Sequence, residues 1–193
     1  MDTFIDMLRN EYSCYRALFG FTKENINANN YFIENGYKYV DSCLDMRLNT
    51  TDFRKIKHND KIFILKKEEF HEYADFHDKH FSRSYWTSNR LGKVLDNWYI
   101  LIYKPEDNIE GSMFITLCNE NTAEIFGISV SDLYKEKEIE KALLSEGLDM
   151  LFKDKALINE TIFFIEDTEN ELNMVEDIGF NYYSSYRCYE VLL

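Results

Sequence analysis

One proline, Pro105, and seven glycines stand in 193 residues, so composition marks no flexible or proline-rich linker. Basic residues are scarce as well: 22 against 35 acids leaves a formal net charge of −13. That balance speaks against a nucleic-acid or anionic-membrane surface and mildly favours cationic partners, although it also serves plain solubility. No apolar run approaches the length that spans a bilayer, and the acidic start "MDTFIDMLRNEY" lacks the features of a signal peptide. The four cysteines, Cys14, Cys43, Cys118 and Cys188, are scattered with no CxxC pair, which predicts reduced, mostly buried thiols in a soluble cytoplasmic protein. What the chain does have is apolar surface. Its 45% hydrophobic and 16% aromatic content suffices for a real core, and its length suits one medium domain, or one domain and a fragment.

The best boundary is the polar stretch 49–60, "NTTDFRKIKHND". Beyond it "KIFILKK" reads as a short strand and "KEEFHEYADFHDKHF" as a helix with apolar residues at helical spacing. "SYWTSNRLGKVLD" reads as a second helix, weak at Gly92. "NWYILIYK", "GSMFITLCN" and "AEIFGISV" are strands joined by hairpin-length connections. Helix "KEKEIEKALLSEGLDMLF", strand "TIFFIE", helix "ENELNMVEDI" and a last strand, "FNYYSSYRCYEVLL", complete the order. The pattern β-α-α-β-β-β-α-β-α-β predicts an α/β domain with a mixed sheet. There is also a faint repeat. "YFIENGYKYVDS" resembles "MVEDIGFNYYSS", and Gly36 and Gly179 fall at the same place in the two stretches, each positioned to end a helix in the left-handed conformation.

The element order, together with "AEIFGISVSDLYKEKEIEKALL" (123–144), resembles the GNAT superfamily of acetyl-CoA-dependent N-acetyltransferases. In that family a strand with a hydrophobic end leads into the loop pattern Arg/Gln-x-x-Gly-x-Gly/Ala. Here the strand end is Val130 and the pattern falls on Lys135, Glu136, Lys137, Glu138, Ile139 and Glu140. The resemblance covers 58–193 as a complete domain, with the closing signature only partly kept near "TENELNMVEDIGF". "NINANNYFIENGY" carries Asn25, Ala28, Phe32, Gly36 and Tyr37 at the family's spacing, so 1–50 resembles the back half of a second GNAT domain. Such a fragment is too small to fold alone and is expected to dock on the complete domain or on a second copy of the chain. The implied fold is the GNAT fold, a mixed, mostly antiparallel sheet flanked by helices. The strands 123–130 and 161–165 are expected to run parallel and then splay apart.

The resemblance implies acetyl-CoA as cosubstrate and a primary amine, of a small molecule or a peptide, as acceptor. Ile128 and Val130 would meet the pantetheine and acetyl group through their backbone, while Lys135, Lys137 and Ile139 would frame the pyrophosphate loop. Glycines in that loop let backbone N–H groups close on a phosphate, and Glu138 and Glu140 replace both small positions. A carboxylate about 5 Å from a phosphate charge costs roughly 1–3 kcal/mol. Lys135, Lys137 and Lys141 would offset much of that, so weakened CoA binding is expected from a degenerate phosphate loop. A solvated first helical turn accounts for "EKEIEK" equally well.

Glu124 matches the glutamate that histone-acetylating members use as general base, a role it needs because only a deprotonated amine attacks a thioester; a solvent-facing strand-end acid is the plainer reading. The family's general-acid tyrosine is replaced by Val175, leaving Tyr182, Tyr183 and Tyr186 as weak substitutes. Tyr85 and Trp86 would line the acceptor pocket, or simply pack in a core. His71, Asp75 and Asp78 share one helix face, but His77 and His80 take another, so a polar helix face accounts for the run and no metal is predicted. The cysteines lack an adjacent histidine to activate a thiol. Two rivals to an enzyme stay open: a non-catalytic GNAT-fold binding module, and an assembly protein that forms a homodimer through the half domain.

Overall fold

The computed structural model describes residues 1–12, 15–56, 58–82 and 84–193, leaving aside the side chains of Asp2, Glu136 and Lys137. The strands are β1 (Arg16–Thr22), β2 (Lys38–Asn49), β3 (Ile62–Ile64), β4 (Trp98–Tyr103), β5 (Gly111–Leu117), β6 (Thr122–Val130), β7 (Glu160–Ile165) and β8 (Asn181–Leu192). The helices are α1 (Asp2–Glu11), α2 (Ile26–Glu34), α3 (Phe70–His80), α4 (Ser88–Gly92), α5 (Ile139–Asp154) and α6 (Glu169–Ile178). Among the described residues, these eight strands join one sheet in the order β1-β8-β2-β7-β6-β5-β4-β3. Every pairing is antiparallel except that of β6 with β7.

Strand alternation divides the apolar residues between two faces. Leu44, Met46, Met113, Ile125 and Phe163 pack on one face against α5 and α6. Ile100, Ile102 and Phe114 turn to the other, where Tyr73, Phe76 and Leu91 of α3 and α4 cover them. At the far end Tyr189 and Val191 of β8 meet Ile5 of α1 and Phe32 of α2. Close contact of α5 with the sheet needs Gly147, since a Cβ there would lie 2.2 Å from Met113 Cε.

The repeat is structural. Gly36 (φ +70) and Gly179 (φ +112) both take the left-handed conformation, and the offset between them also carries β2 onto β8 end to end, Lys38 onto Asn181 and Asn49 onto Leu192. The units β1-α2-β2 and β7-α6-β8 exchange strands: β1 pairs with β8, β7 with β2, and β2 with β8. Cys43 and Tyr186 are related by the same offset and stand opposite each other in the central ladder, so a local two-fold axis passes between them. Residues 1–50 thus supply the strand that lies between β7 and β8.

The predicted elements from β3 onward occur in order, and β6 and β7 run parallel. Their pairing covers only Thr122–Ile125 with Glu160–Phe163. β6 then continues to Val130 paired with β5 alone, and β6 and β7 fork. Two expectations need correction. "SYWTSNRLGKVLD" holds only the five-residue α4 and a 3-10 turn, Leu95–Asn97, leaving Tyr85 and Trp86 in the preceding loop. "KEKE" is not the start of α5: a 3-10 turn, Asp132–Lys137, comes first and α5 begins at Ile139. The N-terminal α1 was not foreseen, because Ile5 is its one buried side chain among the described residues. Among the described residues, no helix is long and apolar enough to cross a membrane. Cys43, Cys118 and Cys188 are free thiols, and Cys14 lies outside the described residues.

Candidate active site

The fork between β6 and β7 opens a cleft. Its inner part, about 190 Å³, is walled by Phe126, Gly127, Ile128, Phe163 and Met174, with Glu140, Glu166 and Glu171 at the rim. Its outer part, about 360 Å³, runs between the start of α5 and the face of α6, past Lys135, Glu138, Lys141 and Asn173. Glu140 and Met174 line both parts, so the two form one channel. A β-bulge shapes the inner wall. The β5–β6 register slips between Phe114 and Ile115, and the extra residue, Phe126, leans on Trp98 at 5.2 Å between ring centroids.

At the outer end Glu138 has φ 53 and ψ 29. It is the one non-glycine residue with positive φ among the described residues, and it occupies the first glycine position of the loop pattern. The backbone therefore keeps a turn that glycine makes without strain and a glutamate makes at a cost. Ile139 follows, buried in the first turn of α5, and Val130 is buried at the end of β6, so their side chains belong to the core and only their backbones border the loop. Ile128 is the predicted strand residue whose side of β6 lines the cleft.

Electrostatically the cleft is acidic. Among the described residues, four carboxylates, Glu138, Glu140, Glu166 and Glu171, line it against two lysines, Lys135 and Lys141. The lysines were expected to neutralise the loop; instead both have other partners. Lys135 pairs with Asp132 at 2.7 Å, and Lys141 is bonded to Asp177 of α6. The Lys137 side chain lies outside the described residues. Burial pushes the Glu140 carboxyl up, and the charge of Lys135 only partly opposes it. Burial likewise raises Glu171, against a hydrogen bond that its carboxylate accepts from the Glu166 backbone at 2.8 Å.

Glu124 sits on β6 just before the fork, opposite Thr116 of β5 and Ile162 of β7. It is half-buried, and burial raises its carboxyl, with the charge of Asp45 adding to the shift and a hydrogen bond from Cys118 Sγ at 3.7 Å opposing it. A carboxylate so placed takes up a proton more readily than a solvent-facing one. The row continues across the sheet: Trp98 pairs with Thr116 on one side, and Arg47 with Ile162 on the other.

Tyr85 is 67% exposed, with the Arg90 guanidinium 4.1 Å above its ring. Trp86 packs edge-on against Trp98 at 5.0 Å, and its carbonyl accepts from His77 Nε2 at 2.5 Å. His77 Nδ1 in turn accepts from the Tyr73 hydroxyl at 2.8 Å. Trp86 thus reaches the cleft through Trp98 and Phe126, and Tyr85 joins this contact chain at its outer end, edge-on to Trp86 at 5.4 Å. Asp78 accepts from the Ser88 backbone and hydroxyl at 2.7 and 2.6 Å, holding the end of α3 to α4, and His71 contacts the Glu68 carbonyl. Among the described residues no tyrosine lines the cleft. Tyr183 lies under Arg47 at 3.6 Å, and Tyr186 meets Phe164 at 5.5 Å.

Asp45 and Arg47 escaped notice in the sequence. Asp45 is completely buried, and Arg47 bonds it and also Glu160 at 3.5 Å. Their alternate placement on a strand was the available sign, but nothing in the sequence sets β2 beside β7.

No protein-family model and no curated protein matches this sequence. Solved structures do match. A GCN5-related N-acetyltransferase from Sphaerobacter thermophilus superposes with TM-score 0.77 at 13% identity, over 98% of this chain and 64% of that one. A GCN5-related N-acetyltransferase from Kribbella flavida gives 0.72 at 9% identity, over 98% and 72%. A functionally unknown conserved protein from Staphylococcus epidermidis gives 0.73 at 16% identity, over 99% and 77%. The chain therefore spans about two thirds to three quarters of the length of these structures. At such identities the likeness is one of architecture: this chain has the GNAT fold.

Proposed function

From a chain with that fold, we propose an N-acetyltransferase that moves an acetyl group from acetyl-CoA to a primary amine and holds its cosubstrate weakly. The observation that carries this reading is the forked β6–β7 cleft, apolar inside and leading to a left-handed turn at the start of α5. The inner wall of Phe126, Ile128, Phe163 and Met174 suits a pantetheine arm. The loop half suits a pyrophosphate poorly, since it sets carboxylates where phosphate would approach and its lysines are engaged elsewhere.

The thioester supplies an activated acyl carbon; the chain supplies placement and a base. Glu124 would accept a proton from the attacking amine, directly or through water, with its raised affinity for a proton matched to that task. No lining tyrosine is placed to protonate the leaving thiolate among the described residues, so that proton would come from water. The acids of the cleft and of the β2 face also favour a cationic acceptor, such as a small or peptide amine.

The same acids favour a second reading, a GNAT-fold module that binds a ligand without turnover. Calorimetry with acetyl-CoA, followed by thiol-release assays over an amine panel, separates the two. Thiol release that depends on an added amine supports the enzyme. Binding without release supports the module, and neither binding nor release removes the cosubstrate from both.

A further inference from the structure

A second cavity shares no lining residue with the β6–β7 cleft. It measures about 560 Å³, within the usual span of small-ligand sites, and it sits on the local two-fold axis of the repeat. Its walls come in equivalent pairs: Tyr39 with Tyr182, Ser42 with Ser185, and Leu44 with Arg187, each related by the offset that carries Gly36 onto Gly179. The last pair breaks the symmetry. Leu44 is a core residue, 9% exposed, and the same place in the other copy carries a half-buried arginine.

A guanidinium drawn partly out of water calls for an anionic partner. Among the described residues the Arg187 side chain has no ion pair or hydrogen bond, and the same holds for the Lys23 ammonium on the cavity rim. One carboxylate, Asp167, lines the cavity, so the two cations leave a local positive excess in a chain of net charge −13. The hydroxyls of Ser42 and Ser185 flank the guanidinium position from adjacent strands. Arginine with two hydroxyls is a suitable donor set for an oxyanion, and the tyrosine pair offers flat apolar walls for what the oxyanion is attached to.

We propose that this axial cavity binds a small organic oxyanion, a phosphomonoester or a carboxylate, through Arg187 and Lys23. The site is independent of acetyl transfer and stands whether or not the cleft binds CoA.

Phenyl phosphate, phenylacetate and inorganic phosphate are titrated into the isotope-labelled full chain, with the backbone amides of Ser42 and Ser185 followed by NMR. Saturable shifts are expected with at least one organic anion, and whichever binds more tightly identifies the headgroup. Arg187→Leu, which installs the leucine of the equivalent strand, should weaken binding by roughly tenfold or more. Lys23→Met, at an exposed position that cannot disturb the core, should weaken it less. Lys93→Ala removes a distant exposed charge and should change nothing. Binding that ignores both Arg187→Leu and Lys23→Met overturns the proposal, as does no saturable shift at millimolar concentrations or an equal loss in Lys93→Ala.

Discussion

Arg47 grips Asp45 with two arms: Nε and Nη2 each lie 3.1 Å from a separate carboxylate oxygen. The carboxylate is wholly out of solvent, and the guanidinium is held from below and beside by the Tyr183 ring and Glu160. Removing one partner strands a buried charge. Arg47→Ala is therefore expected to cost about 3 kcal/mol in chemical denaturation. The double variant with Asp45→Ala should cost less than the sum of the two single variants. A single variant as stable as the parent chain would show that the pair is not needed.

Glu138 holds a left-handed turn with a side chain that does not favour it. Glu138→Gly should raise stability by about 1 kcal/mol. Gly179→Ala tests the opposite case. Its φ is +112, and a Cβ there would lie 2.3 Å from the Asp52 carbonyl oxygen, so the loss should be at least about 2 kcal/mol. Thermal melts of the two variants should move in opposite directions.

The same turn bears on CoA. Replacing Glu138 and Glu140 together by glycine removes two carboxylates and two Cβ atoms from the loop, and calorimetry should report tighter CoA binding, by roughly tenfold. Equal affinity in the parent chain and the double variant would show that the acids do not obstruct the site.

Glu124 predicts a pH signature. Its carboxyl is raised by burial, so the folded chain binds this proton more tightly than the unfolded chain does. The resulting penalty is absent below the ordinary carboxylate range and grows as pH rises through the folded value. Glu124→Gln should thus be more stable than the parent at neutral pH, and the gain should vanish as pH falls toward that range. In turnover the same variant should lose roughly a hundredfold at neutral pH. Part of the loss should return at alkaline pH, where the amine deprotonates unaided.

Deleting residues 1–50 removes β2 from between β7 and β8. Both neighbours would then expose a free edge, and Leu44, Met46 and Leu48 would vanish from the core. The truncated chain is expected to aggregate or to melt well below the full one. A soluble, monomeric truncation of equal stability would make the segment an appendage.

The sequence carries β4 to β7 openly, because their apolar residues form unbroken runs or clean alternation between turn signals. It also carries Glu124, Ile128 and the acids of the loop, which stand at fixed distances along a single strand and turn. What it hides depends on contacts far apart in the chain. Asp45 influences Glu124 only because β2 inserts beside β7, and no local pattern encodes that insertion. The left-handed turn at Glu138 was hidden for another reason, since glutamate is a residue such turns seldom use. Helix periodicity misled at "SYWTSNRLGKVLD", where packing of Trp86 on Trp98 holds a loop.

The position of β2 also sets an order of events during synthesis. Its last residue is Asn49, and the first of its partner strands begins only at Glu160, so more than half of the chain is made between them. At ordinary elongation rates that is a wait of roughly 5–20 s, during which a strand with two open edges has no native neighbour. The sheet can close only after β8 has emerged, so nascent chains halted anywhere before Asn181 would carry β2 as an adhesive segment. Such a chain would rely on holding chaperones, and its yield in a cell-free translation should rise when they are supplied.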